Sequence, residues 1–323
     1  MKQFLSLVFT FYVFTSVGVT QAFAAPADSI PSEGYVDVGP KQRIAYDSAI
    51  VDSSKATLVL LPGVFRGLNR TDAFIKLLVE KKINFVSLHF STQPASIVNY
   101  EKNKKTYFEN GENVTSESLA QEVEILVTTL KIRKPLIVSL SYSGSVIQYL
   151  NPKTFPVVIE TAPIGRFDED ASDAAIAFKA WEQWIKNFPG GAAIAQAAKD
   201  SAFKKYWGDV ALQYSGTDER LKSQENIDRM TDGYMGMAKA VEEYDMRLQN
   251  FETSPRRVFI LGENEDAKRS AIQLEAIENY KKITGIKAEP IIIKGAGHIV
   301  PNDRPESYVE ILSAILNTFD KKY

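Results

Sequence analysis

Ala56-Thr-Leu-Val-Leu-Leu61, Asn84-Phe-Val-Ser-Leu-His-Phe90 and Pro135-Leu-Ile-Val-Ser-Leu140 are short runs with little polar alternation. Between them lie stretches 72–82 and 119–130, whose apolar residues recur every three or four positions. A strand buried on one face alternates apolar and polar residues, whereas a near-continuous apolar strand needs cover on both faces. That is the situation of a parallel sheet between helical layers. The alternation resumes with strands at 155–162, 257–262 and 291–293 and helices at 270–282 and 305–319, the last opening on proline. Upstream, Gly34-Tyr-Val-Asp-Val-Gly39 and Arg43-Ile-Ala-Tyr46 do alternate, and read as two antiparallel strands turning near Gly39-Pro40. The expectation is an α/β fold with a mostly parallel central sheet flanked by helices.

Residues 165–255 break this rhythm. They carry no strand pattern, only helical stretches near 174–188, 192–206 and 226–251, interrupted at Pro189-Gly-Gly191 and Ser215-Gly216. We read them as a helical lid or cap inserted into a core made of 25–164 and 256–323. Residues 1–24 read as a secretory signal: Lys2 precedes the apolar stretch 4–20, and Ala22-Phe-Ala24 places small residues where a signal peptidase cuts, with Ala25-Pro-Ala27 as a second site. The expected location is therefore secreted or periplasmic, with no stable membrane anchor after cleavage. With 323 residues and 45% hydrophobic content the chain can bury a sizeable core. Its 38 Lys and Arg balance 40 Asp and Glu, which does not favour nucleic acid as a partner. Cysteine is absent, so neither a disulfide nor a lipid-modified cysteine can form. With only His89 and His298 available, a zinc site would need carboxylates for most of its ligands, and no metal or cofactor is expected. The acidic run Asp168-Glu-Asp-Ala-Ser-Asp173 reads as charge at a helix start rather than a calcium site.

The strand at Pro135 ends in Ser139-Leu-Ser-Tyr-Ser-Gly-Ser145. A strand that turns at once into a helix holds the residue at the turn in a strained backbone, and the residues two before and two after it must be small. Ser139 fails, because Ile137 would occupy a small position. Ser141 and Ser143 both pass, and register favours Ser141, which leaves Gly144 where strand and helix cross closely. A polar strand end that merely caps a helix is the alternative.

A serine nucleophile needs a base and a carboxylate that orients the base. His298, in Lys294-Gly-Ala-Gly-His298, follows a strand on a loop and is the candidate base, while His89 lies within a strand and reads as structural. The loop after Gly262 offers Glu263, Glu265 and Asp266. Glu265 is the preferred acid, Asp266 the alternative, and Asp303 a candidate partner near His298. For the oxyanion hole, one amide would come from Tyr142 and the other from Val64, or failing that Phe65, in Leu61-Pro-Gly-Val-Phe65.

Four segments in this order, Leu61-Pro-Gly-Val64, Ser139-Leu-Ser-Tyr-Ser-Gly144, Leu261-Gly-Glu-Asn-Glu265 and Gly295-Ala-Gly-His298, together resemble the α/β-hydrolase superfamily over residues 34–320. The resemblance implies the α/β-hydrolase fold with its cap between two core strands, and a Ser141, Glu265, His298 triad. It departs from the family pattern at Ser139 and Ser143, where glycine is usual, at Pro62, where histidine is common, and at Glu265, where aspartate is more frequent. A serine at the turn argues against the dehalogenases and epoxide hydrolases of the superfamily, which use aspartate. The implied activity is hydrolysis of carboxylic esters through an acyl-enzyme; the alternatives are a peptidase or amidase of the same fold, or a catalytically silent hydrolase-like binding protein. Trp181, Trp184, Phe188, Tyr206, Trp207 and Tyr214 in the cap suit a small-molecule substrate with an apolar acyl or aromatic group, or else bury one helical face against the sheet.

Overall fold

The computed structural model describes residues 31–39, 42–64, 67–68, 71–98, 113–166, 183–216, 219–242 and 244–323. The signal, the acidic run 168–173, Trp181 and Phe65 lie outside the described residues.

The strands are β1 (Ser32–Gly39), β2 (Gln42–Ala49), β3 (Thr57–Leu60), β4 (Phe85–His89), β5 (Pro135–Leu140), β6 (Val157–Thr161), β7 (Arg256–Gly262) and β8 (Ile291–Ile293). They form one sheet in the order β1-β2-β4-β3-β5-β6-β7-β8. β2 runs antiparallel to both β1 and β4, and every other pairing is parallel. The sheet has the expected character: β3, β4 and β5 are buried at every residue. Their neighbours explain why. Val59, Leu61, Val86, Leu88 and Ile137 join one core, while Leu58, Leu60, Phe85, Leu136 and Val138 join the core on the opposite face.

Helices α1 (Ala73–Glu80), α2 (Pro94–Ile97), α3 (Ser116–Thr129) and α4 (Gly144–Ile147) belong to the first half of the chain. α3 begins in a reciprocal cap between Thr115 and Ser118, and buries Leu119, Val123, Leu126 and Val127 on the helical period. In the second half are α5 (Gly191–Ser215), α6 (Gln224–Ala240), α7 (Ala267–Thr284), α8 (Val300–Asp303) and α9 (Pro305–Lys322). The second face of the sheet is covered by Phe74, Ile75 and Leu78 of α1 and Tyr308, Val309 and Leu312 of α9.

Between β6 and β7 the described residues carry no strand, only helices, turns and irregular segments, with a single bridge joining Arg166 and Asp245. α5 is longer than its sequence pattern suggested, because Trp207 and Ala211 continue its buried edge toward Tyr234 of α6. Met230, Tyr234 and Met237 of α6 join the same core as Tyr142, Val146 and Ile147. The inserted helices thus share their core with the carboxyl end of the sheet. Gly233 makes that contact feasible: a Cβ there would stand 2.5 Å from the Thr92 carbonyl. Among the described residues, no helix is long and apolar enough to cross a membrane.

Candidate active site

The four serines at the end of β5 and just beyond it have four different surroundings. Ser139 is buried and donates to the Ile159 carbonyl at 3.4 Å. Ser143 is buried and donates to the Pro62 carbonyl. Ser145 donates back to the Tyr142 carbonyl at 2.9 Å. Ser141 alone is partly exposed, and its φ is +51°. For a side chain with a Cβ, that left-handed conformation costs on the order of 1 to 3 kcal/mol, so its surroundings must enforce it. Two backbone amides, Gly144 and Ile164 (3.1 Å), donate to the Ser141 carbonyl and hold the turn. Gly144 is required here: a Cβ would lie 2.9 Å from Glu160 Oε1 and 3.1 Å from Pro163 Cβ. After this turn α4 runs for four residues, and Pro152 lies close beyond it.

The other two candidate residues come from the ends of β7 and β8. His298 Nε2 is 2.8 Å from Ser141 Oγ, and His298 Nδ1 is 2.6 Å from Glu265 Oε2. With a carboxylate as its neighbour, Nδ1 carries the proton and Nε2 is left to accept from the serine hydroxyl; this tautomer follows from the partners. Glu265 is buried at its side chain while His298 is 22% exposed. Burial alone would raise the Glu265 pKa, but the His298 hydrogen bond and charge, the Asp266 amide and the Arg269 guanidinium together hold it below the ordinary carboxylate value. It therefore remains an anion that can orient the imidazole and stabilise its protonated form.

The loop carrying His298 is pinned. Gly295 has φ +70° and donates to Glu263 Oε2 at 2.9 Å; the Gly297 amide donates to Asp303 Oδ2 at 2.8 Å. The Asn264 amide donates to the Ala296 carbonyl at 2.7 Å. Gly262 lets β7 end directly beneath this loop, since a Cβ would meet the Gly297 carbonyl at 2.2 Å. Asp266, the alternative acid, caps α7 instead: its Oδ1 accepts from Lys268 N (3.0 Å) and Arg269 N (3.2 Å). An Asp just before a helical run was the signal for that role. Asp303 supports the loop rather than the ring.

Val64, one expected oxyanion donor, is half-buried in the loop after β3, and Tyr142, the other, is buried at the elbow. The Tyr142 hydroxyl donates to the Met237 carbonyl at 3.1 Å. Burial, and then the charge of Glu122, push the Tyr142 phenol well above its ordinary pKa, so it stays neutral. His89 is buried with Nε2 4.0 Å from Asp47 Oδ2 and its ring against Gly67, remote from His298 in role. Of the cap aromatics, Trp207 is buried and Tyr206, Trp207, Tyr214 and Tyr234 pack together. Trp184 and Phe188 stack edge-on and are exposed, so Trp184 does not bury a face against the sheet.

The fold has many counterparts among solved structures. A protein of Acinetobacter baumannii put forward as a lipase superposes with TM-score 0.58 at 12% identity, over 91% of this chain and 94% of the other. The chain has the α/β-hydrolase fold. The 2-hydroxy-6-oxo-6-phenylhexa-2,4-dienoate hydrolase of Rhodococcus sp. strain RHA1 superposes with TM-score 0.55 at 16% identity, over 89% of this chain and 99% of the other. For a thermophilic esterase of Thermogutta terrifontis the values are 0.51 and 14%, over 86% and 94%. No family model matches the sequence, and a comparison with curated proteins finds no match. The structural neighbours are thus esterases, lipases and other hydrolases of this fold, and the similarity lies in the fold rather than in the sequence.

Proposed function

We propose that the protein is an exported serine hydrolase that cleaves carboxylic esters through an acyl-enzyme on Ser141. The observation that carries this reading is the unbroken line Ser141 Oγ, His298, Glu265, at 2.8 and 2.6 Å, starting from a partly exposed serine in a left-handed turn. In the proposed reaction His298 Nε2 takes the Ser141 proton as Oγ bonds to the ester carbonyl carbon. The oxygen that becomes negative is received by the amides of Val64 and Tyr142. His298 then gives its proton to the departing alkoxide, and a water deprotonated by the same nitrogen releases the acid and restores Ser141. Glu265 stays ionised throughout.

In this reading residues 165–255 form the cap that receives an apolar acyl or aromatic group, and residues 1–24 direct export and are removed. The deciding experiment is intact mass of the mature wild type and of Ser141→Ala after exposure to a fluorophosphonate. One adduct on the wild type, absent from a folded Ser141→Ala, is the expected result, with turnover of p-nitrophenyl esters lost in the variant. An unlabelled, inactive wild type would reject the enzyme reading. The same mass reports whether the exported chain begins at Ala25.

A further inference from the structure

Two buried side chains outside the Ser141, His298, Glu265 line grip the loop after β3. Gln93 Nε2 donates to the Gly63 carbonyl at 2.7 Å and lies 3.4 Å from the Val64 carbonyl. Its Oε1 accepts from the Phe90 amide at 3.1 Å, which decides which end of the side-chain amide faces the loop. Gln93 is itself anchored. Its own amide donates to the Phe90 carbonyl at 2.8 Å, closing a tight turn. Ser91 in that turn is held by Glu122, through its amide (3.1 Å) and its hydroxyl (2.5 Å). From the other side, Ser143 Oγ donates to the Pro62 carbonyl. Both Gln93 and Ser143 are fully buried.

A trans peptide is planar, with its C=O and N–H pointing in opposite directions. Holding the Pro62 carbonyl toward the elbow therefore turns the Gly63 N–H away from the elbow. Holding the Gly63 carbonyl toward Gln93 turns the Val64 N–H away from Gln93. Gly63 needs such restraint, because a glycine backbone is free to rotate and nothing lies within 4 Å of where its Cβ would stand. We propose that Gln93 and Ser143 are positioning residues for the oxyanion site: by holding the Gly63 and Pro62 carbonyls they orient the peptide that carries the Val64 N–H. This rests on the serine-hydrolase reading above. It also gives a role to one of the two elbow serines that stand where glycine is usual, since a glycine at 143 could not reach Pro62.

The test uses the mature chain and the variants Gln93→Met, which keeps volume and removes the donor, Gln93→Glu, and Ser143→Ala. Rates are measured with p-nitrophenyl butyrate per active site titrated, so that unfolded or inactive protein does not count. An aryl boronic acid, whose tetrahedral adduct on a serine places an oxygen in the oxyanion site, serves as transition-state mimic. Misdirecting one donor should lower kcat by about 10- to 100-fold with KM within about twofold. Affinity for the boronic acid should fall by the same factor as kcat/KM. A merely structural role would lower the thermal midpoint and the titrated fraction while leaving kcat per site and boronate affinity in place; that result overturns the proposal, for Ser143→Ala even where a Gln93 variant fails to fold. A wild type that neither turns over nor titrates overturns the hydrolase reading and this proposal with it.

Discussion

Glu122 is a carboxylic acid inside a hydrophobic layer, and replacing it should stabilise the protein in a way that depends on pH. Its burial raises its pKa from 4.5 to about 7, opposed in part by the hydroxyl and amide of Ser91. In the unfolded chain the group loses its proton near the ordinary value, so between these two pH values the folded state holds a proton that the unfolded state has released. Stability therefore falls as pH rises through this window, by about 3 kcal/mol in all at 1.36 kcal/mol per unit. The contribution is complete at acid pH and is lost above about pH 7. Glu122→Gln keeps the shape of the neutral acid. Its carbonyl oxygen can accept from the Ser91 amide and its NH₂ can donate to Ser91 Oγ, replacing the contacts at 3.1 and 2.5 Å. The variant should match the wild type near pH 5 and exceed it by about 2 to 3 kcal/mol at pH 8. Urea unfolding followed by circular dichroism at pH 5, 6, 7 and 8 gives the difference directly, because all other groups titrate in both chains. A difference that stays flat across this range, or a variant less stable at pH 8, would show that Glu122 does not carry its proton as its burial requires.

Further outcomes separate the roles assigned to neighbouring groups. Glu265→Gln leaves the shape of the line to His298 but removes its charge, and should lower kcat by about 10³- to 10⁴-fold in steady-state ester hydrolysis. Asp266→Ala should cost about 1 kcal/mol of stability through the lost cap of α7, with turnover retained; the reverse pattern would make Asp266 the acid. Because the Glu265 carboxyl is depressed in the fold, its share of stability is present above the ordinary glutamate value and is lost as pH falls through its folded value, so acid unfolding should be less steep in Glu265→Gln. His89→Ala should lower unfolding free energy by about 2 to 4 kcal/mol, since it empties a buried site beside Asp47 and Gly67, and should preserve most turnover per active site. Loss of turnover in folded His89→Ala would assign that histidine a part in the chemistry.

What could be read from the chain follows from how many physical demands met at each position. The central strands were legible because both faces of β3, β4 and β5 are covered, and only an apolar run satisfies that. The turn at Ser141 was legible because steric exclusion on both sides leaves little choice of register, and the contact of Gly144 with Glu160 and Pro163 is that exclusion seen in atoms. The approach of His298 to Ser141 joins residues 157 positions apart, and the place of His298 on a strand-end loop and the order of the four segments pointed to it. Asp266 stood as a competing acid because a carboxylate in a loop has the same signature whether it faces a histidine or a helix end; its carboxylate caps α7.

The buried charges were harder to see, yet not without trace. Glu122 occupies the stripe of α3 shared by Leu119, Val123 and Leu126, a position where a solvated glutamate has no place. Glu160 interrupts an apolar strand, and its partner Arg257, 2.9 Å away and equally buried, lies on the adjacent strand β7. A charge on an apolar period thus signals a local partner and a pKa raised by burial, and both carboxyls show the two together. Gln93 leaves no such trace, because its contacts run to Gly63 and Phe90 through backbone atoms that any sequence possesses. Ser143 lies between these cases: smallness at that position was legible, and the hydroxyl stood only as a departure from the usual glycine. Its bond to Pro62 gives that departure a partner. The departure from glycine tightens the elbow and in return ties it to the loop that carries Val64. Positions where a chain departs from a family's pattern without losing the fold are therefore where its own positioning devices should be sought first.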